Sequence, residues 1–379
     1  MILFFADPHL GHKMYHTLTE ENITTAELDS RIALEKIYDR ASQPDIDMII
    51  CAGDFFHSPK PSTENIRWAI LWFEKMDRLG KPFCVVPGNH DVGALSSSLA
   101  FLYSLDLKNT QIIEWEGMLG TWSGWNLHFV PFLTATTLKN KYTDTLQLFA
   151  DTVHDMRAGE NNIIITHLQE SQSTLGAERL MFAKAVEIID LMNYSTSGKT
   201  VFLSGHMHSH QVYTKANGVV VVYPGSTTFM ESLDCGERKG YILIDPAGNI
   251  KFEPIIGIRI FKKYVLPKGK DAVDFFSSIR MLPNEVVFLD VAAGDVVAEG
   301  PLRQLLKERD SILGKISYIA TRTREDGTAI KIELSENNPL LHLENYLAQY
   351  KYKTEPYDWK NIILPLGKET INALTKNRG

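Results

Sequence analysis

The chain has 379 residues, 44% of them apolar and 22% charged, and a formal net charge of −7. That length can bury a large core and add at least one further unit, and no apolar run approaches the roughly 20 residues that span a bilayer. The negative balance counts against a protein whose whole surface grips nucleic acid. It leaves a nuclease open, because bound divalent ions add positive charge at the site itself.

The first apolar stretch, residues 2–6, runs straight into Asp7 and reads as a strand rather than a leader. A helix is expected near 25–41, ending before Pro44, and a buried strand over 47–52 that stops at Gly53-Asp54. Ser62 is a candidate N-cap for a second helix, 63–79, in which Ile66, Ala69, Ile70, Phe73 and Met76 form one apolar stripe. Residues 82–86 form the next strand, which leads to Gly88-Asn89-His90-Asp91. Polar clusters therefore sit at successive strand ends, where open α/β sheets place their sites. Further strands are expected at 126–131, at 162–166 before His167, at 200–204 before Gly205-His206, and at 218–223 and 240–245. Residues 169–180 are rich in Ser, Gln, Gly and Glu and read as a loop near the site.

These elements suggest a larger α/β domain over 1–251, a smaller α+β capping domain over 252–335, and a C-terminal tail over 336–379. The cap reads as helix 271–279, strand 285–290, helix 301–308 and strands 312–321 and 328–334, preceded by a loosely alternating stretch, Phe252–Val265. The tail, helical at 340–350, is too small to fold alone and must pack on the body or on a partner. Cys51, Cys84 and Cys235 are an odd set, two of them inside strand-like runs, which suits reduced thiols and a cytoplasmic setting.

Seven residues of metal-ligand type recur through the strand ends: Asp7, His9, Asp54, Asn89, His167, His206 and His208. Carboxylate, imidazole and amide donors suit Mn²⁺, Fe²⁺ or Zn²⁺. Asp54 follows a glycine and has two oxygens, so it is the candidate to touch both of two ions. Asn89 offers an oxygen without further charge. A lone histidine is more often a core or surface residue than a ligand, but here each member follows an apolar run. A structural zinc site would be closed and cysteine-rich, which this set is not.

The ordered series Asp7-Pro8-His9, Gly53-Asp54-Phe55-Phe56-His57, Gly88-Asn89-His90-Asp91, Thr166-His167 and Gly205-His206-Met207-His208 resembles the calcineurin-like metallophosphoesterase superfamily. The resemblance implies an α/β fold: a two-sheet sandwich flanked by helices, here with the smaller α+β capping domain and helical C-terminal tail. His57, where other branches have Asp, resembles the DNA-repair nuclease branch of SbcD-type exonuclease subunits and phage recombination nucleases. Tyr223-Pro224-Gly225-Ser226 and Gly236-Glu237-Arg238-Lys239-Gly240 resemble the end of that branch's catalytic domain.

If the resemblance holds, Asp7, His9, Asp54 and His208 surround one ion and Asp54, Asn89, His167 and His206 the other, with Mn²⁺ favoured. His90 serves the leaving oxygen and His57 positions substrate. Asp91 either orients His90 or caps the next helix, and His12 stands behind the site or faces DNA. The implied activity is 3′–5′ double-strand exonuclease and single-strand endonuclease cleavage, within a complex with an SbcC-type coiled-coil ABC ATPase docked by the tail. A homodimer is expected through helix 63–79 and through Leu95, Leu99, Phe101 and Leu102. The alternatives are a phosphodiesterase for small nucleotides, a protein phosphatase, from whose Gly-Asp-x-x-Asp-Arg-Gly pattern Phe55–Ser58 departs, and a non-catalytic binding subunit.

Overall fold

The protein is described by a computed structural model in which residues 1–13, 19, 23–93, 97–114, 117–134, 147, 159–173, 188–189, 198–323 and 329–334 are placed. It divides into two units, Met1–Ile260 and Phe261–Gly379.

The first unit begins with β1 (Ile2–Phe5), α1 (Thr25–Ala41), β2 (Met48–Ala52), α2 (Thr63–Asp77) and β3 (Phe83–Val86). Both helices start at a hydroxyl cap: Thr24 accepts from the Glu27 N–H and Ser62 from the Asn65 N–H. Each buries one stripe, through Ala33, Leu34 and Ile37 in α1 and Ala69, Trp72, Phe73 and Met76 in α2. Then come β4 (Thr110–Ile112), β5 (Gly117–Trp122), β6 (Trp125–Val130), β7 (Asn161–Thr166), β8 (Gln169–Glu170), β9 (Ile188–Ile189), β10 (Thr200–Ser204), β11 (Gln211–Thr214), β12 (Val220–Tyr223), β13 (Gly240–Ile244) and β14 (Ile250–Pro254).

Two six-stranded sheets result, in the orders β14-β13-β1-β2-β3-β4 and β11-β12-β10-β7-β6-β5. Their facing sides share one core. Ile2, Phe4, Ile50, Ala52 and Ile242 come from the first sheet and Leu127, Phe129, Ile163, Ile165, Val201 and Leu203 from the second. The alternation of a strand sends every second residue to the other face. Phe5 and Phe83 therefore point away from this core and meet Trp72 of α2 edge-on, at ring separations of 6.4 and 6.0 Å. Trp72 is fully enclosed, and its indole N–H donates to the Leu34 carbonyl of α1 at 3.2 Å. The sandwich flanked by helices is the fold that the family resemblance implied.

Three expectations change. The stretch 252–265 is not one segment: Ile250–Pro254 pairs with Gly240–Ile244 at the edge of the first sheet, so this unit runs on to Ile260. The loop expected over 169–180 opens with a short strand, Gln169–Glu170, parallel to Ile188–Ile189. Leu99 and Leu102, expected on a dimer surface, are buried in the chain itself, whereas Leu71 and Tyr103 are exposed. Leu95 and the tail from 336 onward lie outside the described residues.

The second unit carries β15 (Ile260–Val265), α3 (Ala272–Ser278), β16 (Glu285–Ala292), α4 (Glu299–Lys307), β17 (Ile312–Thr323) and β18 (Ala329–Leu334). Its sheet has the order β15-β16-β17-β18, and Phe276, Val287, Leu289, Leu302 and Leu306 form its core. No described helix in either unit is long and apolar enough to cross a membrane.

Trp72 joins both flanking helices to the first sheet, so Trp72→Ala is expected to destabilise the first unit by about 3–5 kcal/mol. Urea unfolding followed by circular dichroism checks this, and an unchanged midpoint would contradict the packing described.

Candidate metal centre

The site is built where β1 and β2 run past the edge of regular pairing. Beyond their last paired residues the two chains stay together: Asp7 N–H donates to the Gly53 carbonyl at 3.0 Å and His9 N–H to the Asp54 carbonyl at 3.0 Å. To do so, Asp7, His9 and Asp54 adopt left-handed backbone, with φ of 53°, 45° and 50°. His206, after β10, also has positive φ, at 82°. Such conformations are uncommon for non-glycine residues and concentrate at functional sites. They turn side chains that a strand would send to opposite or outer faces toward one point. Gly53 meets a second demand: at φ 91°, a Cβ there would lie 2.0 Å from the His167 Nδ1.

Asp91 holds these loops. Its fully buried carboxylate accepts from the N–H groups of Phe55 (3.1 Å), Phe56 (2.9 Å) and Gly88 (3.0 Å). The loop after β2 is thus fastened to the loop after β3. Burial, with Asp54 nearby, pushes the Asp91 carboxyl up to about 6, even though the three N–H groups favour its charged form. Its Oδ1 also takes the Ser98 hydroxyl at 3.4 Å, and these bonds run to the loops around the site. The carboxylate of Asp54 is then fixed at one end, with Oδ1 accepting from the His90 N–H at 2.7 Å.

The expected ligands converge around Asp54 in two sets. On one side, His9 Nε2 lies 3.1 Å from His208 Nε2 and 3.7 Å from Asp54 Oδ2. Donor atoms of Asp7, His9 and His208 fall within 4.8 Å of one another. On the other side, Asn89 Oδ1 lies 2.9 Å from His167 Nε2 and 3.1 Å from His206 Nδ1, and Asp54 Oδ2 is 3.3 Å from His167 Nε2. Asp54 Oδ2 is therefore within reach of both sets. Two imidazole nitrogens facing each other at 3.1 Å must share a proton or a cation. His167 donates its Nδ1–H to the Ala52 carbonyl at 2.9 Å, which leaves Nε2 toward Asn89 and Asp54. That is the usual orientation of a metal-ligating imidazole.

The electrostatics suit cations. Burial, followed by neighbouring histidines or Lys239, holds His9, His206 and His208 well below the ordinary imidazole range, so they are neutral, as ligands must be. His167 differs. Burial disfavours its charged form and that of Asp54, but their mutual attraction overrides it: His167 is pushed up to about 10 and Asp54 is held below the usual carboxylate range. With hard-to-borderline donors in two converging sets, the residues fit a pair of divalent ions.

His57 and His90 stand beside this set, and with His9 they form a third group whose donor atoms lie within 4.8 Å of one another. His90 Nδ1 lies 2.8 Å from the His57 carbonyl, to which it donates, and His57 Nδ1 faces His9 Nδ1 at 3.4 Å. His12 packs its ring edge-on to His57, 4.5 Å away. Lys239, which spacing alone did not single out, donates to the His208 carbonyl at 2.9 Å. The one signal for it in the sequence is a lysine between two glycines just before an apolar strand.

Residues 1–210 match the calcineurin-like phosphoesterase family. Among curated proteins, the chain is similar to a DNA double-strand break repair protein Mre11 from Methanococcus maripaludis, with 31% identity over 297 residues covering 74% of this chain and 72% of that protein. It is also similar to proteins of the same name from Sulfurisphaera tokodaii, at 24% identity over 92% of this chain and 88% of that one, and from Methanopyrus kandleri, at 23% identity over 65% of this chain. The match spans 55% of the Methanopyrus kandleri protein's own length.

Two outcomes follow from the geometry. Asp91→Ala leaves three buried N–H groups without their acceptor, at about 1–3 kcal/mol each, so both stability and divalent-ion affinity should fall together; a variant that binds ions normally would contradict the clamp. Second, His167 carries a proton at neutral pH that an ion must displace. Mn²⁺ binding near pH 7 should release about one proton, and affinity should rise about tenfold per pH unit up to the high pKa of His167. Calorimetry in buffers of different ionisation heat measures the proton count, and a count of zero would contradict the His167–Asp54 pairing.

Proposed function

Because the chain belongs to the calcineurin-like phosphoesterase family, we propose that it is a metal-dependent DNA nuclease of the SbcD type, working in a DNA end-processing and recombination complex. The observation that carries this reading is the pair His57 and His90, set against a donor set for two ions. Similarity to proteins named for DNA double-strand break repair supports the choice of DNA as substrate.

In this reading Asp7, His9, His208 and Asp54 would hold one ion, and Asp54, Asn89, His167 and His206 would hold the other. The ions, Mn²⁺ in our assignment, supply activation of water and charge to balance the anion that develops on phosphorus. The protein's own part is orientation and one proton. With Nδ1–H committed to the His57 carbonyl, His90 has Nε2 available to hand a proton to the leaving 3′ oxygen, giving a 5′-phosphate product. The His57 ring, against His9, positions the scissile phosphate. Asp91 keeps the two loops in register and is a positioning residue. Recognition of backbone phosphates rather than base edges makes sequence preference weak.

We further assign an SbcC-type ATPase as partner, docked by the tail, and a homodimer formed around α2, where Leu71 exposes apolar surface.

The test is Mn²⁺-dependent degradation of end-labelled duplex and single-stranded DNA. His90→Ala should lower the rate about 10²- to 10⁴-fold with both ions still bound, and Asp54→Ala should abolish cleavage together with ion pairing. A native chain inert on DNA even with its ATPase partner, yet active on a nitrophenyl phosphodiester, would instead support the small-nucleotide phosphodiesterase.

A further inference from the structure

Two sequence motifs that supply no metal donor meet at a single atom, the carbonyl oxygen of His208. From the Tyr223–Ser226 turn, the Ser226 N–H donates to it at 3.0 Å. From the Gly236–Gly240 segment, the Lys239 ammonium donates to it at 2.9 Å. The turn can come this close only because residue 225 is glycine: at φ 81°, a Cβ there would sit 2.8 Å from that same oxygen.

The Lys239 side chain is fully buried. Besides the carbonyl, it reaches Glu237 Oε2 at 2.8 Å and Asp234 Oδ1 at 3.2 Å. The ammonium hydrogen-bonds the carbonyl and Glu237, and the Asp234 carboxylate pairs with its charge. The acceptors are themselves anchored. Asp234 Oδ2 takes the N–H groups of Met230 and Glu231, and Glu237 Oε1 takes the Ser209 hydroxyl. A buried ion pair is a poor device for stability alone, since an apolar side chain of similar volume often serves the fold as well or better. What this lysine adds is a rigid, charged hold on one peptide oxygen. That peptide belongs to the residue whose ring faces His9 at 3.1 Å. His206, two residues earlier, is held differently, by its own N–H on the Asp7 carboxylate at 3.1 Å.

We infer that Lys239 is a positioning residue that fixes His208 and thereby sets the affinity of one ion of the pair, the one facing Asp7, His9 and His208, without setting that of its neighbour. This rests on the two-ion reading given above.

The experiment titrates the metal-stripped full chain with Mn²⁺ alone, by calorimetry and electron paramagnetic resonance, for the native protein, Lys239→Met and Lys215→Met. Lys215 is an equally buried lysine, seated on Glu170 rather than on the His208 carbonyl, and reports any general cost of losing a buried cation. The native chain should bind two ions with a spin-coupled spectrum. Lys239→Met should weaken one ion about 10- to 100-fold, leave the other unchanged and replace the coupled spectrum by that of isolated Mn²⁺. Lys215→Met should keep the coupled pair. Equal weakening of both ions in Lys239→Met, no weakening of either, or the same loss in Lys215→Met would overturn the inference. If Lys239→Met does not fold, Asp234→Asn, which keeps the lysine but loosens its seat, carries the same test. A native chain that fails to bind two ions would sink the two-ion reading itself, a separate outcome.

Discussion

The candidate centre depends on one buried carboxylate. Asp91 gathers three backbone N–H groups from the loops after β2 and β3, and the neighbouring residues inherit their positions from it. The His90 N–H is brought onto Asp54 Oδ1, so the Asp54 carboxylate is presented with its other oxygen toward both donor sets. The His90 ring is brought under the His57 carbonyl. Left-handed backbone at Asp7, His9, Asp54 and His206 costs about 1–2 kcal/mol at each residue. Three hydrogen bonds to an ionised acceptor return about 1.5–3 kcal/mol each. The strain of aiming the ligands and the strength of the clamp are thus of the same size, and neither is needed for the sandwich core behind them.

That core gives the loops a rigid base. Ile2 and Phe4 of β1, Ile50 and Ala52 of β2 and Ile163 and Ile165 of β7 lie in one buried cluster, a few residues from Asp7, Asp54 and His167 respectively. The candidate donors therefore leave well-packed strands only at their last step. His167 is tightly confined, with no side-chain exposure, Gly53 against its ring and the Ala52 carbonyl on its Nδ1. A donor held this way pre-forms one half of the candidate site, while His208 on the opposite side is held from outside, through its carbonyl, by Lys239 and Ser226.

Much of this was legible in the chain. Central strands such as 48–52 and 200–204 are buried on both faces and read as apolar runs, and α2 carries the Ser62 cap and an apolar stripe that follow from spacing. The strands that went unread, Thr110–Ile112, Gly117–Trp122 and Gln211–Thr214 together with the short pair Gln169–Glu170 and Ile188–Ile189, all stand at sheet edges, where one side needs no apolar partner and the sequence signal is weak. Ile250–Pro254, also an edge, was merged into a longer segment for the same reason. In the site, each donor was visible because it followed a strand. The role of Asp91 was not, because its closest partners are backbone N–H groups that leave no trace in residue type. Leu99 and Leu102 looked like surface apolar residues only because the fold that covers them is not local.

The central claim is that Asp54 stands between two ions, each completed by its own histidines. The most direct measurement is anomalous X-ray diffraction from crystals of the full chain grown with Mn²⁺. The account predicts two anomalous peaks about 3.5–4 Å apart, one against Asp7, His9 and His208 and one against Asn89, His167 and His206, with the Asp54 carboxylate contacting both. A single peak, or an ion seated instead among His9, His57 and His90, would contradict it.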